Sequence, residues 1–197
     1  MALVGGGSSA TGAALPAPEE LPANVVAVVA YVPVSSGRIT SAEFQRSLVQ
    51  QAAAAGRDSA PQPGGRGYAQ LRDDAIGELL DAVWIRGQAM EMGIAVTRRQ
   101  VAKELAAIKQ DNFRNEAEYR RFLRESHFTQ GDVDERVELQ LLSVRIQERV
   151  ARGVAGVRQA QAKFKAFVDA YTERWRARTV CVAEFAIDRC SNGRSPH

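Results

Sequence analysis

The sequence predicts a mainly α protein of about six helices, with a small antiparallel sheet formed by strands near its two ends. Three observations predict it. Between residues 40 and 176 apolar side chains recur three or four positions apart, the period of a helix that buries one face. Several of these segments open on Thr or Asn with Glu, Gln or Asp three positions later, the spacing at which a side chain caps the first helical turn. Only residues 25–34 (VVAVVAYVPV) and 179–187 (TVCVAEFAI) read as β-like, and they stand at opposite ends of the helical region. A lone strand leaves backbone donors and acceptors unpaired, so residues 25–31 are expected beside 179–187.

Residues 1–23 are rich in Gly, Ala, Ser and Pro and are expected to be disordered. The small residues at 1–14 resemble the end of a secretion signal without its basic start or apolar core. The segment is read either as a disordered leader or as the remnant of an export signal, and the domain as 24–193. Residues 25–34 form one strand, with Pro33 confining its end to a sheet edge, and 35–38 (SSGR) turn the chain. Thr40 and Glu43 form a capping box that starts a helix over 41–55. Residues 56–67, with two Pro and four Gly, form a loop. The second helix covers 68–92, with Leu71, Ala75, Leu79, Val83 and Met90 on one stripe and Gly93 placed to end it. Thr97 caps the third helix, which turns Val101, Leu105 and Ile108 inward. Asn115 opens a short fourth helix carrying Tyr119, Phe122 and Leu123. Thr129 opens the fifth, whose seam is expected through Val133, Val137, Leu141, Val144 and Glu148 to Val150. Gly153 and Gly156 interrupt the pattern. The sixth helix follows over 157–176, with Ala160, Phe164, Phe167, Tyr171 and Trp175 at helical spacing.

The 197 residues suit one domain, with 45% hydrophobic and 25% charged residues and a net charge of +3. Acidic and basic residues alternate through the second half, so no nucleic-acid partner is expected. No apolar run reaches the length of a membrane span. With two histidines, His127 and His197, and no phosphate loop, nucleophile elbow or zinc-protease motif, neither a catalytic site nor a cofactor is expected. His127, at a helix junction, reads as a packing or capping residue.

Cys181 and Cys190 are the only cysteines. A structural zinc site needs about four ligands, and a thioredoxin-like pair needs two intervening residues at a helix start. A disulfide or two free thiols remain. The spacing suits a returning loop and favours the disulfide, which would stabilise the fold by roughly 2.5–3 kcal/mol and imply an oxidising compartment. Residues 93–107 invite a helix-turn-helix reading. The link expected at 109–115 is long for that motif, and the next helix alternates acid with base instead of presenting a clean basic face. Trp84, Met90, Met92, Phe113, Phe122, Phe128, Tyr171 and Trp175 are candidates for an apolar peptide groove, because Met and flat aromatics accept varied ligands. Aromatic and Met side chains more often fill a core, and spacing alone does not separate the two roles.

The order of segments resembles the SurA/PrsA family of extracytoplasmic folding factors. The resemblance rests on residues 39–48 (ITSAEFQRSL), 93–101 (GIAVTRRQV), 118–126 (EYRRFLRES) and 129–137 (TQGDVDERV). It continues through 164–171 (FKAFVDAY) and 175–181 (WRARTVC), with the second Cys before Asn192 and Gly193. It implies a holdase-like helical domain completed by a returning C-terminal helix, into which a parvulin isomerase is commonly inserted. Here 153–156 leave no room for that insertion, and the histidines of such an active site are lacking. The resemblance thus implies a non-enzymatic chaperone outside the cytoplasm. Its partners would be unfolded exported polypeptides, with a homodimer left open. A DNA-binding regulator and a structural remnant of a foldase are the alternatives. A second departure, at 30–37, replaces a short turn and is expected to lengthen a hairpin and alter its register.

Overall fold

A computed structural model describes residues 15–193. Of the expected leader, residues 1–14 lie outside the described residues, as does His197, while Pro18–Glu20 form a single 3-10 turn. The chain is mainly α: α1 Ser41–Ala54, α2 Tyr68–Glu91, α3 Arg98–Asn112, α4 Glu116–Glu125, α5 Gln130–Ala151 and α6 Val157–Arg176. A three-stranded antiparallel sheet is built from β1 Val25–Val29, β2 Arg38–Thr40 and β3 Thr179–Cys181, in the order β2-β1-β3.

The helix starts follow their caps. Thr40 Oγ1 accepts the Glu43 N–H at 3.2 Å, and Glu43 accepts the Thr40 N–H at 2.7 Å. Thr97 with Gln100 and Thr129 with Asp132 repeat the reciprocal pair, and Asn115 accepts from Glu118. Each satisfies backbone donors that the first helical turn leaves unbonded. Gly93, at φ +64°, ends α2: its N–H reaches Met90 O and the Ile94 N–H reaches Ala89 O at 2.8 Å. His127 closes α4 in the same way at φ +56°, with the Phe128 N–H on Leu123 O. It is the capping residue its position suggested.

The expected pairing of the terminal strands is present, with Ala27 opposite Cys181 and Val29 opposite Thr179. Four details differ from the sequence expectation. β1 stops at Val29, where Tyr31 takes a left-handed φ of +66° and reverses the chain. Pro33 consequently precedes a one-turn helix, Val34–Gly37, and β1 is the central strand. Residues 38–40 are a third strand instead of part of a turn. Residues 30–37 connect β1 to β2, and a bulge shifts the register of that pair between Val25 and Ala27. At the other end β3 stops at Cys181, because Ala183–Phe185 form a 3-10 turn and the chain then returns.

That return is made by the disulfide. Cys181 and Cys190 are bonded, with their Cα atoms 5.8 Å apart, and both are fully buried. Ser191 N–H donates to Thr179 O at 2.7 Å. The Asn192 side chain accepts from Cys181 N–H and donates to Cys181 O. The loop therefore occupies the outer edge of β3 as a short substitute strand, covering an edge that would otherwise be open to pairing. Arg189 in the same loop holds Asp81 of α2 with two parallel hydrogen bonds, at 2.9 and 3.0 Å.

The main core joins the sheet, α1, α2 and the end of α6 around Phe44, Ile76, Leu80, Trp84 and Trp175. α2 is buried on more than its predicted stripe: Tyr68, Ile76, Leu80, Trp84 and Gly87 are enclosed as well, while Met90 is half exposed. A helix surrounded on most sides must be apolar on most sides. Trp175 lies against Gly87, where an added Cβ would come within 2.2 Å of its ring. The Trp84 indole donates to Thr179 Oγ1 at 2.9 Å, and that hydroxyl donates to Trp175 O at 2.8 Å. A second core packs α5 against the end of α2 through Leu142, Ile146 and Val150 with Ala89. The buried line of α5 is thus Val137, Leu142, Ile146, Val150, and the expected seam position Val144 is exposed. The helix packs against both α2 and α3, so its contact line is not the single stripe read from spacing.

Two stability measurements check this packing. Replacing both cysteines by serine is expected to lower the unfolding free energy by roughly 2–3 kcal/mol in denaturant titration, the loop-closure contribution of a short disulfide. An unchanged midpoint would show that Ser191 and Asn192 seal the edge unaided. Gly87→Ala should gain about 1 kcal/mol of helix propensity yet lose more than that by overpacking against a buried indole, so a net loss of about 1–2 kcal/mol is expected. A rise in melting temperature would contradict the Trp175–Gly87 crossing.

Candidate functional site

A groove of about 780 Å³ opens between the sheet edge and the helical arm formed by α3 and α5. Its floor carries Ile39 of β2, Leu79, Ala82 and Val83 of α2, and Val101 and Ala102 of α3. These positions follow from local folding. Ile39 lies on the edge strand just before the Thr40 cap, and Leu79, Ala82 and Val83 share one face of α2. Gly93 and the Thr97 cap then turn α3 back, so that Val101 and Ala102 face α2 across the opening.

The rim is charged with both signs. Arg38, Arg86 and Arg98 stand among Glu43, Asp134, Glu135 and Glu138. Arg86 binds Glu135 at 2.6 Å and approaches Glu138 at 3.4 Å, tying α2 to α5 across one wall. A smaller space of about 110 Å³, lined by Val32, Pro33, Gly87 and Met90, shares the walls Ser36, Val83 and Arg86 and extends the groove. A site with an apolar floor and a rim of alternating charge can bury apolar side chains and leave polar backbone near water. Among the described residues, no group of three or more His, Cys, Asp or Glu is placed to hold a metal ion.

The eight residues nominated from sequence fall into separate places. Trp84 and Trp175 are buried in the main core. Tyr171 is partly buried beside them, its ring 5.9 Å from Trp84, and burial pushes its phenol well above the ordinary tyrosine range. Phe113, Phe122 and Phe128 gather around Tyr119 in the distal arm, with ring centroids 5.2–6.3 Å apart between neighbouring pairs. Lys109 lies 4.0 Å over Tyr119 and Arg136 4.5 Å over Phe128; within this cluster Tyr119 is buried and Phe113, Phe122 and Phe128 are half-buried. Burial also raises the Tyr119 phenol, whose hydroxyl donates to Gln130 at 3.0 Å. Met92 packs against the second core, and Met90 alone of the eight lines the groove system.

The groove floor was missed because its members are small aliphatic residues of an ordinary helix face. The available signal was indirect: Val101 and Ala102, with Val96 just ahead of the Thr97 cap, give this segment more apolar surface than Leu105 alone needs for docking on α5. Among the described residues, no helix is long and apolar enough to cross a membrane. The family model of the SurA-like N-terminal domain matches residues 19–147, well over half of the chain, from the 3-10 turn ahead of β1 into the last turns of α5. No curated protein and no solved structure matches the chain. With strands, capped helices and groove all lying largely within the matched segment, the chain belongs to the SurA-like N-terminal domain family, a chaperone-type family.

Proposed function

We propose that the protein is an extracytoplasmic holdase that reversibly captures unfolded segments of exported polypeptides, without nucleotide, metal or isomerase chemistry. The observation that carries this reading is the groove beside β2: an apolar floor, a rim of both charges, and an edge strand along one side. The other edge of the sheet is covered by the Cys181–Cys190 loop, so β2 is the edge left beside the groove. An extended segment laid there would bury alternate side chains on Ile39, Leu79 and Val101 and direct its backbone toward the rim. The mixed rim favours no single client sequence, which suits a binder of many unfolded chains.

Absence of isomerase chemistry is supported by the direct passage from α5 to α6 through residues 152–156. Placement outside the cytoplasm is supported by the buried disulfide, a bond that persists in oxidising compartments.

Capture is tested by light scattering. The protein at modest molar excess should suppress aggregation of a chemically unfolded client. Ala102→Asp, at an exposed position of the groove, should weaken that protection by about fivefold, the effect of losing roughly 1 kcal/mol of apolar contact. Aggregation that proceeds unchanged with the unaltered protein would end the holdase reading. In a proline-limited refolding assay the protein should leave the slow phase at its uncatalysed time constant of roughly tens to hundreds of seconds. Acceleration there would show an isomerase.

A further inference from the structure

The end of the α5–α6 hairpin differs in character from the rest of the chain. From residue 145 to 165 it carries six Arg and Lys residues against one acid, Glu148. Elsewhere acidic residues outnumber basic ones, since the whole chain has 26 basic and 23 acidic side chains. Arg149, Arg152, Arg158, Lys163 and Lys165 are all exposed. Lys165 pairs with Asp169 at 2.7 Å, and among the described residues Arg149, Arg152, Arg158 and Lys163 have no carboxylate partner.

The same end exposes apolar side chains. Val157 is 74% exposed at the first position of α6, and Phe164 and Val168 are 36% and 37% exposed. At about 100° per residue these three fall within one narrow sector of the helix. Ala160, Phe167 and Tyr171 occupy the adjoining sector, and Phe167 packs against the second core. The exposed stripe is therefore the uncovered margin of a face whose other half is docked. Lys163 lies on one side of the whole face and Arg158 and Lys165 on the other. Their long stems can lie along apolar surface while the charges reach outward.

We infer that this hairpin end is a docking surface for an anionic lipid membrane. The exposed stripe is narrow and carries basic residues on both flanks, matching a helix seated in the interface between headgroups and acyl chains. Clustered Arg and Lys complement anionic headgroups, and the carboxylates of the chain lie mainly elsewhere. The groove is lined by residues of β2, α1, α2, α3 and the first half of α5 and by none of residues 145–168, so the two surfaces share no side chain. This inference stands independently of client capture.

The experiment is co-sedimentation of the full chain with vesicles of phosphatidylglycerol and phosphatidylcholine in equal parts, against vesicles of phosphatidylcholine alone. The protein should pellet with the anionic vesicles only, and less as salt rises. Val157→Asp, and separately the pair Arg152→Glu with Arg158→Glu, should each weaken binding by about tenfold or more. Lys103→Glu, an exposed change on α3, should leave it unchanged. Circular dichroism and thermal melting establish that the variants fold, which the exposure of these positions favours. No pelleting, equal pelleting with neutral vesicles, or binding indifferent to both hairpin variants would overturn the proposal. So would a concentration-dependent dimer that Val157→Asp dissociates in the absence of vesicle binding, since the face would then join two copies.

Discussion

The indole of Trp175 lies across Gly87 more closely than any residue larger than glycine would allow, and this crossing fixes the end of α6 on α2. It sets α6 against α2 and carries the chain directly into β3. The Thr179 hydroxyl, one turn beyond Trp175, accepts from Trp84 and donates to Trp175 O, so neither indole nor hydroxyl is buried without a partner. The Trp175 indole in turn donates to Gln88, itself buried, at 3.2 Å. With β3 held there, β1 has a partner on each side and the sheet can cover α2. Without that crossing β1 would pair only with a three-residue strand, which is too little for an independent sheet.

The disulfide loop acts one step further out. It turns the chain after β3, places Asn192 against both polar backbone groups of Cys181, and brings Arg189 to Asp81. One edge of the sheet is thereby covered and the other left beside a groove. This asymmetry gives the site a direction: an extended ligand meets an edge strand only on the side where the α2 and α3 faces are apolar. The helical arm keeps its own shape through the Phe113, Tyr119, Phe122 and Phe128 cluster, so the groove wall is a packed unit and not a loose pair of helices.

Most helices were legible because their signals are local. Thr40, Thr97, Asn115 and Thr129 cap the helices that follow them, and Gly93 ends α2, through contacts within a few residues of sequence. β2 was not legible. Arg-Ile-Thr has too few residues to alternate, and it becomes a strand only because β1 lies beside it. The extent of burial around α2 was also hidden, since the number of elements surrounding a helix is not a property of its own period. Among the site candidates, Trp84 and Trp175 went to the main core, where their area is best removed from water, and the groove floor fell to Val, Ala, Leu and Ile.

The amino-acid sequence by itself determined the mainly α class, the starts of six helices and the meeting of the terminal strands, and it favoured a disulfide between the two cysteines of the last segment. Each depends on short-range bonding or on a forced pairing of unsatisfied backbone groups. Tertiary structure alone decided which apolar faces were consumed by packing and which were left over. The groove beside β2 and the exposed stripe from Val157 to Val168 are remainders of that packing. A remainder is set by what lies opposite in space, which no local spacing records.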